Sequence, residues 1–395
     1  MSQKEATRNI DQKESMILYG LSAGRCNICN QSVVIHPLMK TIGNMGQRAH
    51  VVDHSDAHGA RDESDLKGIK LEKFAYRVID IDQWEKGGLE NIVLLCHPCH
   101  WNIDKMEPKE WSVEQLLKYK KDHEERIFEQ TQANKKTFLV QYYSMIGEFN
   151  PRASAEDIRR GLTRVQRFEE DTAFLGDTNR IFADHQEGFW DLEEHTLDKH
   201  YLNRVVEQKE GKVFEHVTVC AAGSQSLLIK LGSLLGSKQG VDVLPLNRDK
   251  DHPWGWYDIE PHMFSTKHLE GSIEGEPVIF LRVSGSQTTS DLSLIKDYLS
   301  NESLDIYTVQ LDGELAPGKQ WHSSDNDTFR NVSLKLINSI HEKHGNKPIH
   351  VFPAMPNHFC VEFGRASLQK IHPPMIIHDA NHKTNTWMKA ITIER

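Results

Sequence analysis

The sequence holds no apolar run near the ~18–20 residues that a membrane span needs, so no membrane association is expected. Its first fifteen residues are polar and lack the apolar stretch of a secretory leader, so the expected address is the cytoplasm. Basic charge is short as well: 47 Lys+Arg against 57 Asp+Glu give a net charge of -10. That excludes a strongly basic protein that coats nucleic acid. The deficit is uneven. Residues 1–136 hold 20 basic and 21 acidic side chains, net -1, and the remainder holds 27 and 36, net -9. Any nucleic-acid contact must use a local patch, expected in the near-neutral first third. Cysteine is scarce, six in 395 residues. Four of the six form two C-x-x-C pairs, Cys26/Cys29 and Cys96/Cys99, which in a reducing compartment read as metal ligands before disulfides. Cys220 and Cys360 stand alone in apolar runs and read as core residues.

The length argues for two or three domains, and a mean hydropathy of -0.56 is that of a soluble globular chain. Residues 12–22 read as a short helix, and residues 91–95 as a compact strand that delivers the second cysteine pair. Ser112 and Gln115 form a capping box for a helix whose charge run, residues 118–129, reads either as a DNA-facing strip or, from its mixed signs, as a solvated face. Residues 130–136 are polar and read as a hinge, so the expected division is 1–130, a linker at 131–139, and 140–395. Beyond it strand-like and helical runs alternate: 217–222 then 227–235, 278–284 then 292–299, 306–311 then 329–344, and 349–354 then 361–369, with strands at 375–378 and 388–393. That alternation argues an α/β architecture with largely parallel strands. Ala222 to Gly232 repeats the spacing of Ala354 to Gly364 at an offset of 132 residues, as expected of two related Rossmann-like halves. Their strand ends would then face a common crevice.

Two C-x-x-C pairs suit tetrahedral zinc, and four thiolates close its shell, so this Zn²⁺ is structural. Around the pairs stand Arg48-Ala49-His50 in a strand-like run and the segment NIVLLCHPCHWNID at 91–104, which carries Asn91 and His100. This order of His, Asn and His around two zinc knuckles resembles the HNH endonuclease family over about residues 20–125. The resemblance implies an α+β domain with a ββα-metal core. It implies His50 as general base, His100 as a ligand of a catalytic Mg²⁺ or similar ion, and Asn91 as a further ligand or as the residue fixing the loop that holds His50. Hydrolysis of a phosphodiester needs such groups: an imidazole neutral near pH 7 takes a proton from water, and a divalent ion neutralises charge on the leaving oxygen. One departure stands out. Ala49 occupies a position that often supplies a metal ligand, and Asp53, His54, His58, Asp62 and Asp82 are unranked candidates to replace it.

The segments 216–232, 280–285 and 349–365 resemble the SAVED domain, a relative of CARF sensors that binds cyclic oligonucleotides; the likeness covers about residues 140–395. An HNH domain ahead of a SAVED domain resembles the effector nucleases of bacterial cyclic-oligonucleotide anti-phage signalling (CBASS). The resemblance implies activation by a cyclic di- or trinucleotide, a homo-oligomer (dimer or tetramer), a bacterial cytoplasmic setting and non-specific cutting of double-stranded DNA. Strand ends that feed helix N-termini offer backbone N–H groups to phosphates. That singles out Gly223, Ser224 and Gln225, Ser284 and Gly285, and Pro356, Asn357 and His358. Bases need stacking partners. Trp254, Trp256, Tyr257 and Trp321 lie in polar-flanked clusters and read as stacking platforms or as core; Arg365 reads as a phosphate partner or as packing between helices. The alternative function is a zinc-knuckle DNA-binding regulator gated by a small nucleotide. A third reading, a sensor that degrades its own ligand, lacks a compact acid/base cluster beyond residue 140.

Overall fold

The computed structural model describes residues 10–53, 61–66, 88–149, 151–176, 183–206, 214–237, 240–249, 251–284, 292–300, 303–315, 318–368, 370–381 and 386–394. The chain folds as two compact units, Met1–Gln132 and Ala133–Arg395.

In the first unit, helix α1 (Gln12–Leu21) opens with a capping box made by Asp11 and Glu14. Strands β1 (Gln47–His50) and β2 (Ile92–Leu95) pair antiparallel, Gln47 opposite Leu95 and His50 opposite Ile92. All four residues of β2 are buried, as its unbroken Ile-Val-Leu-Leu run requires. The short helix α2 (His97–Trp101) follows directly, completing a strand–strand–helix frame. The long helix α3 (Val113–Gln132) starts at the Ser112/Gln115 box, with Gln115 N–H donating to Ser112 Oγ at 3.1 Å and Ser112 N–H donating to Gln115 Oε1 at 2.9 Å.

Two expectations fail on α3. Its charge run is neither a free strip nor a fully solvated face: Lys120, His123 and Glu124 are buried with Leu116, Leu117 and Ile127 on one helical stripe. Lys120 Nζ donates to Ile92 O at 2.8 Å and pairs with Glu124 at 2.7 Å, giving the buried start of β2 a hydrogen-bond partner. Nor is there a linker at 131–139. Helix α3 runs to Gln132, where Thr131 Oγ1 donates back to Ile127 O, and strand β3 begins at Lys135. The segment is polar because it spans a helix end and a strand end that both face water.

The second unit has two sheets. Strands β3 (Lys135–Tyr143), β4 (Arg167–Phe174), β5 (Val217–Ala222) and β6 (Val241–Val243) form a parallel sheet in the order β4-β3-β5-β6. Strands β7 (Phe264–Glu270), β8 (Glu276–Arg282), β9 (Leu304–Leu311), β10 (Ile349–Ala354), β11 (Met375–Asn381) and β12 (Thr386–Ile393) form the other, in the order β12-β11-β10-β8-β9-β7, with β7 and β12 antiparallel at its edges. Helices α5 (Phe189–Tyr201), α6 (Gln225–Leu235), α8 (Asp325–His344) and α9 (Asn357–Ala366) fill one large core shared with an inner face of each sheet. Alternation along β3 shows the two-sided burial: Phe138, Val140 and Tyr142 point to that core, while Leu139 and Tyr143 pack on α4 (Ala155–Arg164) behind it. Helix α7 (Leu292–Leu299) covers the outer face of the six-stranded sheet through Ile295.

The 132-residue repeat is β5–α6 and β10–α9, one pair in each sheet. Its glycines meet where α6 and α9 cross. A Cβ on Gly232 would stand 2.0 Å from Val361 O and 2.9 Å from Gly364 Cα; one on Gly364 would stand 2.0 Å from Ile229 O. The equal spacing thus places a residue without a side chain at the same depth on both helices, which lets their backbones touch.

Candidate functional site

Cys26 and Cys29 lie on a tight turn in which Asn30 adopts a left-handed conformation (φ 60°) and donates its N–H to Cys26 O. Cys96 is the N-cap of α2 and Cys99 lies in its first turn. Asn27, which the sequence does not flag, docks the turn on β2: its N–H donates to Leu94 O at 2.8 Å and its Oδ1 accepts from Leu94 N–H at 2.9 Å. The four Sγ atoms all lie within 4.8 Å of one another, with Cys29 and Cys96 at 3.6 Å. An ion with sulfur at about 2.3 Å sets tetrahedral sulfurs about 3.8 Å apart, so the set fits Zn²⁺. The charge balance agrees. Burial pushes the Cys96 thiol up to about 11, and burial with repulsion from its neighbours pushes Cys99 higher. Four thiolates at this spacing need a cation to neutralise them.

Strand β1 ends on the half-buried His50, and α2 packs beside it. Asn91 is fully buried. Its Oδ1 accepts from Val52 N–H at 2.7 Å and its Nδ2 donates to Val52 O at 3.0 Å, while Val51 N–H donates to Asn91 O. The carboxamide therefore clamps the backbone just after His50. Of the two roles expected of Asn91, metal ligand or fixing the loop that holds His50, these bonds are those of the second: the side chain turns inward to the loop. On α2, His100 Nε2 meets Asp104 Oδ2 at 3.1 Å across one turn. Asp104 Oδ1 accepts from Arg61 at 3.2 Å, and Arg61 also binds Asp53 at 3.0 Å and Ile103 O at 3.1 Å. Burial raises the Asp104 carboxyl, but His100 and then Arg61 outweigh it and hold it below the usual carboxylate range. Of the five candidates to replace Ala49 as a ligand, Asp53 is engaged by Arg61, and Asp62 accepts from the backbone of Ser64 in an exposed turn. His54, His58 and Asp82 lie outside the described residues. Among the described residues His100 is thus the donor suited to a catalytic ion, with Asp104 held on its Nε2 and on Arg61.

In the second unit the C-terminal ends of β5, β8 and β10 open on a cavity of about 710 Å³. Strand β10 pairs with β11 only over 349–351, and Pro353, with no N–H to donate, stands where the two diverge and lines the opening. Gly223, Ser224, Gln225, Ser284, Pro356 and Asn357 all reach its wall. A Cβ on Gly223 would collide with Ser144 Oγ at 2.1 Å, and that hydroxyl accepts from Ser224 N–H at 2.9 Å. Gln225 Oε1 accepts from Met355 N–H at 3.3 Å, which ties the first turn of α6 to the start of α9. Both helices therefore aim their N-termini, and the partial positive charge there, into one space.

Asp379 of β11, unflagged by the sequence, occupies part of that space. It accepts from Ser224 Oγ at 2.5 Å and Ser226 N–H at 3.1 Å. Burial raises its carboxyl, opposed by those bonds. Helix α6 is thus already capped by a carboxylate, whereas α9 has no side-chain cap among the described residues. Arg248 and Lys319 are the cations on the wall among the described residues. Tyr257 also lines it, stacked on His252 with ring centroids 4.2 Å apart.

Two expected contacts, those of Trp254 and His358, are not made. Trp254 is fully buried against α4, where Gly161 admits its backbone: a Cβ there would stand 2.6 Å from Trp254 Cβ. His358 is buried edge-on to Trp321, and burial pushes its imidazole down to about 3. Gly285 lies outside the described residues. Arg365 packs between helices, paired with Glu362 at 2.7 Å and bonded to Gly236 O of α6. Cys220 and Cys360 are core residues.

Residues 199–393 match the family described as the SMODS-associated and fused to various effectors sensor domain, SAVED. The second unit carries a SAVED domain. Three solved structures are similar to the chain. The Acinetobacter baumannii Cap4 SAVED/CARF-domain containing receptor with the cyclic trinucleotide 2'3'3'-cAAA has 9% identity and a TM-score of 0.44, and covers 72% of this chain. The same receptor with 3'3'3'-cAAA has 12% and 0.41, again over 72% of this chain, and the Moraxella osloensis Cap4 receptor has 10% and 0.38 over 71%. The chain spans 60% of the length of each. No curated protein matches it. No described helix is long and apolar enough to cross a membrane.

Proposed function

We propose that the chain is a metal-dependent endonuclease of double-stranded DNA, switched on by a cyclic di- or trinucleotide bound to its SAVED domain. One observation carries the reading: the SAVED domain is joined to a unit in which His50 and His100 sit on a strand–strand–helix frame stapled by four thiols. His50 takes the proton of the attacking water, and the Asn91 clamp on Val52 fixes the backbone that presents it. Asp104 orients His100 through Nε2. A divalent ion held by His100 through its other ring nitrogen would supply charge neutralisation on the phosphate. At the other site, the uncapped N-terminus of α9 with Arg248 and Lys319 attracts phosphates, and Tyr257 offers a ring to a base.

Gating follows from charge. A first third at net -1 captures DNA weakly as a single copy, and ligand-driven assembly multiplies contacts. The test is plasmid nicking by the zinc-loaded chain with a panel of cyclic oligonucleotides, with and without added Mg²⁺, beside sedimentation at matched concentration. The expected result is cleavage that needs one panel member and a divalent ion and rises together with mass. DNA binding that responds to ligand without cleavage would favour a regulator instead.

A further inference from the structure

The first unit exposes an apolar tip that no core explains. Residues 33–45 form a hairpin, with Ile35 bridged to Ile42 and Met45 N–H donating to Val33 O. At its end Leu38 is 85% exposed, Met39 67% and Ile42 89%. The tip is built to hold these side chains outward. His36 Nδ1 accepts from the N–H groups of both Leu38 and Met39, at 3.3 and 3.1 Å, and His36 O accepts from Lys40 N–H. Lys40 turns the chain with a left-handed φ of 56°, and His36 N–H closes the turn on Thr41 O. The base is equally fixed, because Gly46 lies so close to α1 and β2 that a Cβ would stand 2.2 Å from Tyr19 Oη and 2.9 Å from Leu94 Cδ1.

Charge identifies what the tip meets. From Ser15 to Val52 the chain has no Asp or Glu, although 57 in 395 residues would place about five in a stretch of that length. Arg25, Lys40 and Arg48 lie within it, and it runs through β1 to His50. An acid-free stretch of chain with a rigid apolar point fits a polyanion that also offers a stacked, dry interior. A second copy bound through the same face would set like charge against like charge.

We propose that the 36–41 turn is a wedge that enters the minor groove of double-stranded DNA, with Leu38 and Met39 inserted at a base step and Lys40 on the flanking phosphates. Apolar side chains of this kind unstack and bend the duplex, which brings more of it onto the protein. The proposal rests on the endonuclease reading and places its substrate relative to His50.

The experiment uses the full zinc-loaded chain without added Mg²⁺, with the activating cyclic oligonucleotide from the nicking panel and a short duplex carrying 2-aminopurine. The wild type raises 2-aminopurine fluorescence on binding. The double variant Leu38→Ser/Met39→Ser abolishes that rise and weakens binding about tenfold at an unchanged salt slope, since the phosphate contacts remain. Lys40→Gln lowers the salt slope by about one and keeps the fluorescence rise. A double variant that binds and unstacks like the wild type, while wild-type nicking is intact, overturns the wedge alone. Loss of self-association or of binding to anionic vesicles in that variant, with DNA binding unchanged, also overturns it, in favour of a second copy or a lipid surface. A wild type that neither binds nor nicks DNA with any panel member removes the endonuclease reading and the wedge together.

Discussion

The two units satisfy their backbones in opposite ways. In the second, two sheets of four and six strands pair most peptide groups with one another, and side chains are left to fill cores. In the first, two strands of four residues leave most groups unpaired by sheet, and side chains stand in. The Asn27 carboxamide oxygen serves Leu94 N–H, the Asn91 carboxamide serves both backbone groups of Val52, and Lys120 serves Ile92 O. Buried charge follows the same division. Lys120 and Glu124 support a backbone, whereas Asp305 of β9 gathers His268, His344, Lys343 and Tyr307 at 2.6–2.8 Å in a cluster of side chains. A small unit built this way depends on single residues; a layered one spreads the same burden over many.

The largest test of that contrast is metal removal. Chelation, or Cys99→Ser, is expected to unfold the first unit, since structural zinc contributes on the order of 10 kcal/mol. The second unit's denaturation transition should stay in place. One transition that shifts as a whole would show the units to be coupled, and zinc-free wild type with full stability would remove the staple. Next comes His50→Ala, for which cleavage should fall about 10³-fold while zinc content and ligand affinity hold. Wild-type nicking by that variant takes His50 out of the mechanism.

Asp305→Asn should destabilise the second unit by about 3 kcal/mol, because it leaves cations facing a site without its anion. Burial works against the Asp305 carboxylate, yet hydrogen bonds from Lys343, Tyr307, His268 and His344 outweigh it and hold it far below the usual range. Its folded pKa is depressed, so its stabilisation is present above the unfolded value of about 4 and lost as pH falls below that. Urea melts at descending pH check this, and an Asn variant with the same acid sensitivity as the wild type would contradict it. The smallest effect is expected of Gly232→Ala, about 2 kcal/mol, from forcing α6 off α9. A thermal melt identical to the wild type would mean that the crossing has slack.

Cysteine spacing made the thiol cluster legible, because metal geometry admits few ligand patterns and α2 begins on Cys96. The helix N-termini at Gly223–Gln225 and at Pro356 and Asn357 were legible for a similar reason: an apolar strand that runs straight into a helix must expose its N–H groups at the junction. The edge strands β4, β6 and β7 were not, since short or half-exposed strands carry weak periodicity. Trp254 and Trp321 have similar polar flanks, and only packing separates the one sealed against Gly161 from the one that reaches the cavity.

By itself the sequence determined the local chemistry of this protein: two C-x-x-C pairs, a repeated glycine interval, capping boxes and an alternation of strand and helix. Those are set by neighbours a few residues apart, where backbone geometry leaves little choice. Tertiary structure alone decided which distant groups share a space. It brought Asp379 to the end of α6 across 155 residues of chain, turned Asn91 onto Val52, and buried Lys120 under β2. Such meetings depend on how whole layers pack, because a side chain reaches whatever the fold sets within hydrogen-bond distance.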